Sequence, residues 1–151
     1  MYNSVIVSGV LAWLVAQIIK TILYAVKSDK VVYERLVGAG GMPSSHTSMV
    51  IASLIAVGKA QGTTSTLFGV MFIFACIVIY DAMGVRHAAG QHAKAINKLN
   101  DIILKNETSQ TDNKKGSIPK KFKELLGHTP LEVVGGAIVG IIVGILIPVK
   151  G

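Results

Sequence analysis

Four apolar stretches, separated by polar segments, constrain this chain more than any other feature of its sequence. A helix that crosses a bilayer needs about 20 mostly apolar residues to span a hydrocarbon core of about 30 Å. The stretches lie at about 5–26, 45–58, 67–82 and 131–149, and the second is the shortest. We therefore expect an all-α integral membrane protein with four transmembrane helices in a compact bundle, built as a single domain over residues 1–151.

The composition favours a membrane over water as the environment of this chain. Hydrophobic residues make up 51% of the 151 residues and charged residues 15%, with a mean hydropathy of +0.57. An average soluble chain is about 25% charged. The net charge of +7 would suggest nucleic acid on a polar chain, but here charged and apolar residues are segregated, which favours a lipid bilayer as partner and no nucleic acid.

A polar insertion at about 85–127 separates the third and fourth apolar stretches. In its first part, apolar side chains recur at three- and four-residue spacings, and the lysines fall mostly off that stripe. This pattern predicts an amphipathic helix over 88–104, lying either at the membrane interface or on the protein's own surface.

The basic residues predict the orientation of the bundle in a cell membrane. With four spans, only Lys59 and Lys150 of the 15 basic residues fall at one face, and the others collect at the opposite face. The positive-inside rule makes the crowded face cytoplasmic and places both termini outside.

Polar side chains that an ordinary span would avoid lie at the cytoplasmic end of all four predicted helices. The candidates are Lys20, Lys27, Arg35, Gly41, Ser44, Ser45, His46, Asp81, Arg86, His128 and Glu132. Such convergence is what a single site requires. A lysine within a span costs roughly 2.5–3.5 kcal/mol, so a functional role for Lys20 is favoured over simple snorkelling to the headgroups.

The segment from Gly38 to His46 has the composition of an anion-binding turn. Its glycines let the backbone approach a ligand closely, and the helix that follows presents free N–H groups at its N-terminus. Ser44 and Ser45 add hydroxyl groups, one of which we expect to be the N-cap.

The spacing of His128 and Glu132 supports two interpretations. At i and i+4, the carboxylate can hold one imidazole nitrogen and leave the other to attack an electrophile. Thr129 followed three residues later by Glu132, with Pro130 at the first helical position, is also a capping box, in which Glu132 is structural.

These motifs resemble the signatures of the type 2 phosphatidic acid phosphatase family, which also includes the vanadium haloperoxidases. The stretch from Leu126 to Gly140 resembles the third signature, and Pro43-Ser44-Ser45-His46 resembles the second, Pro-Ser-Gly-His. Lys20 and Lys27, with six residues between them, resemble the first. The whole pattern, with the run from Tyr80 to Arg86, is similar to the divergent bacterial and plant branch of that family.

The chain departs from the family pattern at several positions. Glu132 stands where the family has Asp, Ser45 where it has Gly, and Lys27 where it has Arg followed by Pro. The separation of Arg86 from His128 is also much longer, so the polar insertion lies within the third signature.

The resemblance implies a membrane lipid-phosphate phosphatase that uses neither a metal nor another cofactor. Lys20, Lys27, Ser44, Ser45 and Arg86 would hold the phosphoryl group. His128 would attack phosphorus to form a phosphohistidine, with Glu132 orienting its ring, and His46 would protonate the leaving oxygen. The supporting residues would be Arg35, Gly41 and Asp81, the last of which could pair with Arg86, orient a histidine or end its helix.

Two other functions compete with this one. A non-catalytic lipid-phosphate-binding membrane protein would retain the site without turnover, and haloperoxidase activity is disfavoured by the small membrane-embedded chain. Small residues at 136, 140 and 144 favour close helix packing, and so small a bundle favours a homodimer.

Overall fold

The computed structural model describes residues 3–28, 41–108, 122 and 128–149, without the side chains of 27–28, 86–87 and 104–108. The described part contains five helices and confirms the all-α architecture. They are α1 (Ser4–Ser28), α2 (Ser45–Gln61), α3 (Thr66–Met83), α4 (Val85–Thr108) and α5 (Pro130–Leu146). The rest of the predicted insertion, at 109–121 and 123–127, lies outside the described residues.

Local backbone chemistry explains where two helices end differently from the sequence expectation. α2 continues to Gln61 and stops at Gly62, which has a φ of +82° that suits glycine. α5 stops at Leu146 rather than near residue 149. Ile147 is extended (φ −72°, ψ 120°) because it precedes Pro148, whose ring disfavours helical geometry in the residue before it.

The central helix of the bundle is α2, which packs against α1, α3 and α5. Its buried positions include many small or hydroxylated side chains, which permit close approach from several sides. Contacts far from the motifs give the helix directions: Ser53 Oγ donates to Val5 O at 3.5 Å, and Lys59 Nζ donates to Ile147 O at 2.7 Å. α2 is therefore antiparallel to α1 and parallel to α5.

α2 and α5 pack almost backbone to backbone along two stripes of small residues. A Cβ added to Gly136 would overlap the Ser44 carbonyl oxygen, and one added to Gly140 would lie 2.6 Å from Ser48 O. Ser48 Oγ donates to Gly136 O at 3.1 Å across the same contact. The glycine stripe thus serves packing within one chain, and a homodimer stays a prediction.

The outer surface of the bundle is aliphatic and aromatic, as a bilayer requires. Large side chains such as Phe72, Ile73 and Ile142 are more than half exposed, and a soluble monomer rarely exposes apolar patches of this extent. α1 and the helical segment beginning at Thr66 are long and apolar enough to span, whereas α5 is apolar but has 17 residues. We conclude that this is a membrane protein.

α4 follows α3 after a break at Gly84 and packs against it. Its buried face consists of Gly90, Ala93 and Asn97. The predicted apolar stripe is otherwise exposed, with Leu99 and Ile103 both more than half accessible. α4 therefore rests on the protein through small side chains and presents its larger apolar ones outward, as an interfacial helix does.

Candidate active site

The N-termini of α2 and α5 meet at the end of the bundle that carries the motifs. The Ser44 backbone N–H donates to Glu132 O at 2.9 Å and ties the two first turns together. Each helix N-terminus bears a partial positive charge of about half a unit, so two adjacent ones favour an anion between or beside them. The fold thereby supplies positive potential before any side chain is considered.

Ser44 is the N-cap of α2, the role that the sequence expected of one of the two serines. Its Oγ accepts hydrogen bonds from Thr47 N at 3.4 Å and Thr47 Oγ1 at 2.9 Å, and the residue is fully buried. Accepting both bonds leaves the hydroxyl proton of Ser44 as a donor. Ser45, the first helical residue, is 3% exposed.

Two imidazoles from opposite ends of the sequence lie side by side. The rings of His46, in the first turn of α2, and His128, just before α5, have centroids 6.4 Å apart at an interplanar angle of 83°. His46 is partly exposed and His128 is 2% exposed. The sequence motifs are separated by 82 positions (128 − 46), and only the fold makes them neighbours.

Hydrogen bonds fix the backbone at His128 and at the residue that follows it. The His128 N–H donates to Ala82 O in the last turn of α3 at 3.0 Å, and Thr129 begins the capping box of α5. α3 and the N-terminus of α5 therefore set the position of this imidazole together.

Lys20 reaches the same end of the bundle from α1. It is 4% exposed, and a Cβ placed on Gly41 would lie 3.6 Å from Lys20 Cγ and Cδ. Gly41 has a φ of +92°, which strains any residue with a side chain. The turn before α2 thus passes directly over the buried stem of this lysine.

Asp81 and His46 line one cavity of about 230 Å³. The other lining residues that the structure describes are Ile77, Val78 and Ala82, all on α3. Ile77 is 60% exposed on the outer surface of the bundle. The cavity thus has a polar end at His46 and Asp81 and an aliphatic wall next to the bilayer.

The structure forms the capping box at Thr129 and Glu132. Glu132 Oε2 accepts from Thr129 N at 3.0 Å, and Thr129 Oγ1 accepts from Glu132 N at 3.4 Å. Of the two interpretations of this spacing, the geometry realises the structural one. Glu132 fixes the peptide that follows His128, rather than making a hydrogen bond to its ring.

Three predicted site residues have side chains outside the part of the chain that the structure describes. Lys27 lies in the last turn of α1 and Arg86 in the first turn of α4, with side chains outside the described part, and Arg35 lies wholly outside it.

Comparison with known proteins agrees with these motifs and this fold. The model of the family described as "Divergent PAP2 family" matches residues 1–143. The chain belongs to the divergent PAP2 family. It is a divergent branch of a phosphatase-related superfamily, which confirms the resemblance seen in the signatures.

A relative of similar length extends the comparison. The chain is 38% identical over 148 residues to the uncharacterized membrane protein YuiD of Bacillus subtilis (strain 168), covering 96% of this chain and 94% of that protein. No solved structure matches the chain.

Sequence reasoning missed two residues that build the site in this member of the divergent PAP2 family. Ala82 contributes only a carbonyl, for which the sequence carries no signal. The packing role of Ser48 was detectable, because Ser44 and Ser48 have the same four-residue spacing as Gly136 and Gly140, which face them.

Proposed function

We propose that this protein is a membrane lipid-phosphate phosphatase that works through a phosphohistidine. The observation that carries the proposal is the pair of imidazoles, 6.4 Å apart, beside the joined N-termini of α2 and α5. In-line displacement needs a nucleophile about 3–3.5 Å from phosphorus and an acid within hydrogen-bond reach of the leaving oxygen. A ring separation of this size suits one phosphoryl group held between two histidines.

In the first step, a nitrogen of His128 attacks phosphorus while the bond to the lipid oxygen breaks. His46 gives a proton to that oxygen, so the lipid leaves as a neutral alcohol from a phosphomonoester, or as its monophosphate from a pyrophosphate. In the second step, His46 takes a proton from water, the resulting hydroxide attacks the phosphohistidine, and inorganic phosphate leaves. Helix N-termini, the Ser44 hydroxyl and Lys20 stabilise the charge on the equatorial oxygens, with Lys27 and Arg86 as further cations.

The surroundings of His46 favour a lipid alcohol as the leaving group. The cavity beside it combines His46 and Asp81 with the aliphatic wall of α3. A phosphate ester of a hydrocarbon alcohol would place its polar linkage at the histidine and its chain along Ile77 and Val78. A phosphomonoester or pyrophosphate of a lipid meets this description, and we place the site at the cytoplasmic face.

The test is phosphate release from purified protein in mixed micelles with a panel of lipid phosphates, with and without vanadate. We expect His128→Ala to abolish turnover and His46→Ala to reduce it by about 10²–10⁴-fold, the usual contribution of a general acid. His92→Ala is the matched control, because His92 is an exposed histidine on α4. Radiolabelled phosphate trapped on the wild type should be absent from His128→Ala, and full activity of that variant would overturn the mechanism.

A non-catalytic lipid-phosphate binder is the second candidate. It is favoured by the use of the Glu132 carboxylate in the capping box, which leaves that group to structure rather than to the ring of His128. Saturable binding of lipid phosphate, lost in Lys20→Met, with no release of phosphate across the whole panel would select this function.

A further inference from the structure

A buried side chain on α4 binds the backbone of residue 122, six positions before His128 in the sequence. Asn97 is 3% exposed, and its amide makes two hydrogen bonds to one backbone residue. Asn97 Nδ2 donates to Phe122 O at 2.9 Å, and Phe122 N donates to Asn97 Oδ1 at 2.9 Å. Both distances lie at the optimum for such bonds. This paired contact defines the position and direction of the backbone at residue 122.

The contact lies close to the proposed nucleophile along the chain. Residue 122 precedes His128 by six positions, and the His128 N–H is itself bonded to Ala82 O on α3. Because α4 packs on α3, residues 122 and 128 are both hydrogen-bonded to the same pair of helices.

The chemistry of the contact argues for a specific role rather than for packing. A buried amide is costly unless it is hydrogen-bonded, and an apolar side chain could fill the same space more cheaply. Both bonds go to the main chain of Phe122, whose side chain is 55% exposed. Asn97 therefore selects where the backbone lies and leaves the side chain at 122 unconstrained.

We propose that Asn97 is a positioning residue that keeps His128 in register with His46 by holding the backbone at residue 122. The inference rests on the phosphatase function proposed above. It assigns α4 a part in the reaction, because Asn97 on this helix anchors residue 122, six positions before the nucleophile.

The decisive variant is Asn97→Asp, which is nearly isosteric but replaces the donor to Phe122 O with an oxygen. Asn100→Asp is the matched control, because it adds the same charge one turn later on α4. We expect Asn97→Asp to lower kcat about tenfold with KM within about twofold, and Asn100→Asp and Phe122→Ala to stay near wild type. A tenfold loss corresponds to about 1.4 kcal/mol, within the range of the net value of the one hydrogen bond that this variant removes.

Amide hydrogen exchange provides a readout that does not depend on turnover. In Asn97→Asp, exchange at the His128 amide should rise about tenfold while exchange in α2 stays unchanged. A uniform rise would mean general destabilisation and would overturn the positioning role, as would unchanged exchange at His128. Normal kcat in Asn97→Asp would reject this inference and leave the proposed function standing. If the wild type releases no phosphate, the proposed function fails and the exchange result alone decides the role of Asn97.

Discussion

The backbone contact between α2 and α5 makes a sharp prediction for Gly136→Ala. The new Cβ would overlap the Ser44 carbonyl oxygen and lie 3.0 Å from Ser44 Cβ. The obstructing oxygen belongs to the backbone of a capped helix and cannot turn aside as a flexible side chain would. The two helices must therefore separate at the place where the site is built.

The expected change in the free energy of unfolding combines two destabilising contributions and one stabilising contribution. Overpacking of a close contact costs typically 1–3 kcal/mol, and separation of the helices weakens the bond from Ser48 Oγ to Gly136 O, worth about 1 kcal/mol. Alanine recovers up to about 1 kcal/mol over glycine within a helix. We expect Gly136→Ala to lower the free energy of unfolding by about 2 kcal/mol.

Gly69→Ala is the matched control, because a Cβ there meets nothing within 4 Å on the exposed surface of α3. It should leave stability unchanged or raise it by up to about 1 kcal/mol. Unfolding can be followed in detergent by titration with a denaturing surfactant, using the fluorescence of the single tryptophan, Trp13. Equal stability of Gly136→Ala and Gly69→Ala would refute the close packing of α2 on α5.

Three further predictions concern the far end of the bundle, the cap of α5 and the membrane orientation. Lys59→Met removes three hydrogen bonds to carbonyls at the C-terminal end of α5, at 2.7–3.3 Å, and should cost about 1–3 kcal/mol of unfolding free energy, whereas Lys59→Arg should recover part of it. Thr129→Ala removes the N-cap of α5 and should cost about 1 kcal/mol in the same unfolding assay, so unchanged stability would count against the capping box. In a Cys76→Ala background, a cysteine at exposed Lys98 should react with an impermeant thiol reagent only after permeabilisation, and one at exposed Thr63 should react in intact cells; the opposite pattern would reverse the predicted orientation.

Much of the architecture was readable from the sequence because its causes are local. The apolar stretches predicted all four bundle helices, since a bilayer demands a minimum length of apolar helix. The capping box at Thr129 and the N-cap at Ser44 were detectable because caps depend on residues within one turn. The end of α5 at Leu146 was missed, although Pro148 signalled it, because the apolar run continues past the helix.

Tertiary structure decided how the motifs combine. The sequence placed His46 and His128 at the same end of the bundle, but their ring separation depends on the approach of α2 to α5, which the facing glycines and Ser44 permit. Glu132 fitted two interpretations, and the three-dimensional path of the chain selected the cap. The hydrogen bonds from the Asn97 side chain to the main chain of Phe122 join residues 25 positions apart. No residue pattern marks such a partner, because every amino acid except proline carries the same N–H and C=O groups.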